Sequence, residues 1–105
     1  MPADPEALRL ADAVAYQAGA IVSRKLATAP GGNVSVFAFD AGEELSEHTT
    51  PHTALLHVLD GQAEITIDGV THAVAAGEAI VLPPGHPHAV RAVERFKMVL
   101  TMIRS

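Results

Sequence analysis

From about Gln17 onward the chain is a succession of short runs rich in Val, Ile, Leu and Ala, each closed by Gly, Pro or Asp. The runs are 20–27, 34–39, 44–48, 54–59, 63–68, 70–74, 79–82, 88–92 and 96–103. Nine such runs in about 85 residues leave no length for the crossover helices that parallel strands require, so the sequence predicts an all-β, antiparallel sandwich or barrel.

The turns agree with this. Asp60-Gly61 and Asp68-Gly69 each predict a two-residue hairpin, because a type I′ turn needs positive φ at both central positions. Gly31-Gly32, Ala41-Gly42 and Ala76-Gly77 mark further reversals. Ala63, Ile65 and Ile67 alternate with Glu64, Thr66 and Asp68, as in a strand with one buried and one solvated face. In the last run Phe96, Met98, Leu100 and Met102 alternate with Lys97, Val99, Thr101 and Ile103, so both faces are partly apolar. Such a strand is either enclosed by the fold or covered by a partner, and a homodimer is the expected partner. Residues 1–16 differ from the rest. Pro2, Asp4 and Pro5 are start signals, and Leu8, Leu10, Ala11 and Val14 can share one face of a short helix, which predicts a loose arm or helical turn before a single domain over 17–105.

Composition narrows the function. Seven Lys and Arg against twelve Asp and Glu give a net charge of −5, the wrong sign for tracking phosphates, and with one Tyr and no Trp a base-stacking surface has little material. No nucleic-acid partner is expected. The absence of cysteine excludes disulfides and thiolate metal sites, so any transition metal must rest on imidazole and carboxylate. No run approaches the ~18 apolar residues of a membrane span, and the acidic N-terminus does not read as an export signal, so a cytoplasmic protein is expected.

Six histidines stand out in so small a chain, and they cluster. The first group is His48, His52 and His57, and the second is His86 and His88. Around the second, Gly77, Pro83, Gly85 and His88 follow the pattern Gly, five residues, Pro, one residue, Gly, two residues, His. Around the first, Gly42, His48 and Gly61 stand at the matching positions of a companion pattern. On these motifs the stretch from about 19 to 103 resembles the cupin superfamily, in particular its small single-domain members with one conserved barrel. The resemblance implies a double-stranded β-helix, or jelly-roll barrel, with His48 and His88 facing one lumen.

Cupin metal sites usually carry three His and one carboxylate, yet the positions of the second His and the Glu hold Thr50 and Ala54 here. Against that pattern, His52 in the turn after His48 is either a substitute ligand or an exposed turn residue. His57 is either a ligand or pocket residue, or else a packing or interface residue, and by strict alternation it needs a bulge to reach the lumen. The resemblance thus implies candidate metal ligands His48, His52, His57 and His88, with Thr50, Ala54 and Met98 lining a ligand pocket. A divalent transition metal (Zn, Ni, Fe, Mn or Cu) and a small oxygenated organic ligand are the expected occupants. With both bound, the resemblance implies a metal-dependent oxygenase or isomerase-type enzyme, and the alternative is a metal-poor or metal-free sensor or carrier without catalysis. His72 and His86 read as surface residues, and Glu47 as an outer-face residue.

Overall fold

The structure is a computed structural model that describes residues 5–104. Pro2 and Asp4, two of the expected start signals, lie outside the described residues. Nine strands are formed among the described residues: β1 (Ile21–Ala29), β2 (Gly32–Phe39), β3 (Glu44–His48), β4 (Thr53–Asp60), β5 (Gln62–Ile67), β6 (Val70–Ala75), β7 (Ala79–Leu82), β8 (His88–Arg91) and β9 (Phe96–Ile103). Each predicted run has become a strand, with ends moved by only a few residues. They form two antiparallel sheets, ordered β1-β2-β9-β4-β7 and β3-β8-β5-β6. The fold is therefore the jelly-roll barrel that the motifs implied.

The two Asp-Gly pairs behave differently. Asp68 and Gly69 both adopt positive φ, at 51° and 78°, and close a hairpin in which Ile67 pairs with Val70. Asp60-Gly61 is not a hairpin, which corrects the sequence expectation: β4 lies in the five-stranded sheet and β5 in the four-stranded one. Only Gly61 has positive φ there, at 71°, and a Cβ on it would overlap the Arg95 carbonyl oxygen. This glycine serves a close crossing between the sheets, where the Arg95-Phe96 backbone passes directly against it.

Period-2 alternation fixes the core. Leu56, Val58, Ala63, Ile65, Phe96 and Phe39 are fully buried between the sheets, and Ala54 and Met98 join the same cluster. Phe39 stacks on Phe96 with ring centroids 4.5 Å apart. Across the five-stranded sheet, β9 sends Phe96, Met98, Leu100 and Met102 to the interior side. Its other face is partly apolar, as expected, and is covered in part by the chain's own N-terminal arm. Val14 packs there with Val36, Ala38 and Val99 in a second buried cluster.

The arm forms a single 3-10 turn, Leu10–Asp12, and Leu8 and Leu10 remain exposed, so the expected apolar helix face reduces to Val14. Polar contacts hold the arm down. The Tyr16 hydroxyl donates to Asp60 Oδ2 at 2.5 Å, and the Lys97 ammonium donates to the Ala11 carbonyl at 2.5 Å while lying 4.9 Å from the Tyr16 ring centre. Arg95 Nε donates to Asp40 Oδ1 at 2.8 Å, and the Gly19 N–H donates to the other oxygen at 2.7 Å. These two bonds, the guanidinium first, hold the Asp40 carboxyl below its ordinary range. No helix among the described residues is long and apolar enough to cross a membrane.

Candidate functional site

The site begins with an irregularity in β3. Leu45 pairs with Val90 and faces the core, so simple alternation would send Glu47 inward and His48 outward. The ladder shifts register between Leu45 and His48, and His48 instead pairs with His88. A β-bulge therefore supplies the extra residue that turns His48 to the same side as Leu45. No turn residue in Glu44–His48 announces it.

His88 follows from the Gly77-to-His88 motif. The β7–β8 loop turns at Pro83-Pro84-Gly85, where the Gly85 N–H donates to the Thr50 carbonyl at 2.8 Å and so joins the loop to the β3–β4 turn. The first residue after the loop is His88, paired with Ile67 on one side and His48 on the other. It is 4% exposed, whereas His48 is exposed. Their rings meet edge to face, at 70° and 4.3 Å between centroids.

Both imidazoles are oriented in the same way. His48 Nδ1 donates to the Ser46 carbonyl at 2.8 Å, and His88 Nδ1 donates to the His86 carbonyl at 3.3 Å. A carbonyl can only accept, so each Nδ1 carries the hydrogen and each Nε2 is left with a lone pair. Burial, and then the adjacent His48 ring, lower the proton affinity of His88 and favour its neutral form. The pair therefore presents two fixed acceptors of hydrogen bonds, or two nitrogen donors to a cation.

The other candidates are placed elsewhere or differently. His57 pairs with Ala79 and Val99, between the buried Leu56 and Val58, so it lies on the outer face of the five-stranded sheet. The β4 ladder runs without a break from Thr53 to Val58, and the register shift that would turn His57 inward is absent from that stretch. His52 is half-buried in the β3–β4 turn, where its N–H donates to the Thr50 hydroxyl at 3.2 Å. Thr50 thus turns its hydroxyl to the backbone of the turn. Ala54 and Met98 are buried core residues in the interior cluster. Among the described residues, no three His, Asp or Glu side chains converge closely enough to hold a metal ion. His72 is exposed on β6, as expected. His86 is exposed as well, yet it is engaged: its Nδ1 meets Asp68 Oδ2 at 2.6 Å.

Two antiparallel sheets that close a jelly-roll barrel, with a histidine pair on facing β3 and β8 positions, define the class of barrel to which the chain belongs. The chain belongs to the cupin family: the cupin domain matches residues 35–104. A conserved protein of unknown function from Streptococcus pyogenes is similar to it at 38% identity over 99% of this chain and 91% of that one, with a TM-score of 0.92. A cupin 2 conserved barrel domain protein from Leptotrichia buccalis is 41% identical over 92% of this chain, with a TM-score of 0.89, and the chain spans 47% of that protein. A cupin superfamily protein from Desulfitobacterium hafniense is 27% identical over 100% of this chain and 95% of that one, with a TM-score of 0.91. No curated protein matches the sequence.

Proposed function

We propose that this cupin binds a small hydroxyl-bearing organic compound at the barrel mouth through His48 and His88, as a sensor or carrier. The observation that carries the reading is the shared orientation of the two rings. With both Nδ1–H groups committed to backbone carbonyls, two Nε2 lone pairs stand ready for the O–H donors of one ligand. The half-buried Phe37, Leu45, Ile67 and Leu100 border the interior cluster and supply the apolar setting of a small-molecule site.

A divalent transition metal is the second reading, favoured because a metal-bound imidazole is commonly oriented through its other ring nitrogen in this way. The donor set does not fit it well. Two imidazoles fall short of the three or four protein donors that Zn, Ni, Fe, Mn or Cu sites use, and no group of three or more His, Asp or Glu side chains that could hold a metal ion is found among the described residues.

Calorimetric titration of EDTA-treated protein separates the two readings. Small hydroxy acids, their deoxy counterparts, Zn²⁺ and Ni²⁺ are each titrated into the native chain and into a His48→Ala, His88→Ala double variant. Saturable binding of a hydroxy acid, weakened at least tenfold in the double variant, supports the proposal. Stoichiometric uptake of a metal ion that disappears in the double variant, without hydroxy-acid binding, overturns it in favour of the metal. Binding of neither class overturns both.

For its partner we propose a second copy of the chain. Leu55 and Val81 pair across β4 and β7, Leu55 also pairs with Thr101, and Thr101 pairs with Val34, so a row of three apolar side chains and one threonine crosses four strands on the outer face. Leu55, Val81 and the neighbouring Ile103 are all exposed beyond the cover of the arm, which is the kind of surface that symmetric dimers bury.

A further inference from the structure

Two loops meet near His88, the β5–β6 turn and the β7–β8 loop, and one side-chain pair joins them. Asp68 lies in the β5–β6 turn, where its positive φ of 51° aims it across to the β7–β8 loop. Its N–H donates to the Pro87 carbonyl at 3.0 Å, and its carboxylate accepts from His86 Nδ1 at 2.6 Å. Residue 86 is thereby held on its side chain, while the peptide next to it is held at the Pro87 carbonyl. The His86 N–H approaches the Pro83 carbonyl at 3.4 Å, a weak bond that adds little restraint.

The carbonyl of that same residue receives the His88 Nδ1–H. At 3.3 Å this bond is at the long end of the useful range, whereas the equivalent bond from His48 to Ser46 is 2.8 Å. A displacement of a few tenths of an ångström therefore breaks the first and leaves the second. We infer that Asp68 and His86 are positioning residues: their contact fixes the His86 carbonyl, and the carbonyl fixes which nitrogen of the buried His88 carries the hydrogen. Neither residue has to touch a ligand. The contact lies on the exposed surface and adds little stability, so its consequence is geometric. This inference rests on the reading of His88 Nε2 as an acceptor, but its test does not need a ligand.

The test is long-range ¹H–¹⁵N spectroscopy of the imidazoles in EDTA-treated protein at about pH 8.5, where imidazoles are neutral. Asp68→Gly removes the carboxylate yet suits a positive-φ turn position, and His86→Ala removes the ring. The native chain is expected to show His88 with hydrogen on Nδ1. Both variants are expected to raise its Nε2–H fraction at least threefold, with His48 unchanged. Asp68→Asn, which still offers an acceptor and also suits the turn, is expected to restore most of the native pattern. An unchanged His88 tautomer in Asp68→Gly and His86→Ala overturns the inference, as does an equal change at His48, which would mark general loosening. Should the native chain bind no hydroxy acid while these tautomer shifts appear, the functional reading fails and the positioning role stands.

Discussion

His48 and His88 are Cα partners across the β3–β8 ladder, and their imidazoles meet edge to face with 4.3 Å between centroids. Burial, and then the neighbouring His48 ring, lower the proton affinity of His88. Because the proton affinity of His88 is lowered on folding, the unfolded chain takes up this proton at higher pH than the folded chain. The contribution is complete above the ordinary imidazole pKa of about 6.5 and is lost as pH falls from there toward the lowered value of His88. The urea midpoint of EDTA-treated protein, measured from about pH 5 to about pH 8, is expected to rise with pH, and the rise is expected to flatten in His88→Gln. Equal slopes in the two proteins would show that His88 does not carry the effect.

His57 lies on the outer face of the five-stranded sheet, whereas the pair belongs to the four-stranded one, and this separates its role from that of the pair. His57→Ala is expected to leave hydroxy-acid binding within about twofold, whereas His88→Ala weakens it at least tenfold, as one lost hydrogen bond of about 1.4 kcal/mol implies. Calorimetry on the two variants checks this. Comparable losses would place His57 in the site.

The strands were legible because alternation and punctuation are local properties: Ala63-Glu64-Ile65-Thr66-Ile67 names its own faces. His88 was legible because the Gly77, Pro83 and Gly85 spacing describes a loop with a defined landing point. The bulge that turns His48 to the side of Leu45 was invisible, since Glu44-Leu45-Ser46-Glu47 contains no residue that demands one. Asp60-Gly61 misled for a related reason. The dipeptide reports a preference for positive φ, but whether the chain then pairs back or crosses to the other sheet depends on the remote Arg95-Phe96 segment. The Asp68–His86 contact was also hidden, because its partners lie 18 residues apart and meet only through the β5–β8 register.

Gly61 offers a direct check on that crossing. Gly61→Ala adds a side chain at φ 71° and drives its Cβ into the Arg95 backbone, whereas Gly77→Ala meets φ 88° with open space around it. The second change costs about 1 kcal/mol for left-handed backbone alone. The first is expected to exceed about 3 kcal/mol, because backbone atoms rather than a flexible side chain must move. Denaturant midpoints of the two variants compare them, and equal losses would remove the close approach as the reason for glycine.

Tyr16 ties the arm to the sheet, and its phenol gives that contact a pH signature. Burial, followed by the hydrogen bond and charge of Asp60, pushes its ionisation well above the ordinary phenol value. The stabilisation is therefore full below about pH 10 and is lost as pH rises beyond it, where the unfolded chain forms tyrosinate more readily. Tyr16→Phe is expected to cost about 1 kcal/mol at neutral pH and to reduce the alkaline decline. Amide exchange should quicken first around Val14, and exchange unchanged there would detach Tyr16 from the docking of the arm.

Leu55 and Leu56 are chain neighbours on opposite faces of β4, with 42% and 0% of their surfaces exposed. Leu56→Ala opens a cavity in the core and is expected to cost about 2–5 kcal/mol. Leu55→Lys removes apolar surface from the outer face and leaves the core intact, so it should change association far more than the fold. Light scattering of the native chain at micromolar concentration is expected to give twice the 10.9 kDa chain mass, and Leu55→Lys or Val81→Lys to give the single mass. The direct pairing of Leu55 with Val81 is what makes the two substitutions equivalent, since each places a charge in the same exposed apolar pair. A native mass of one chain would end the dimer proposal, and a variant that stays dimeric would move the interface away from this face.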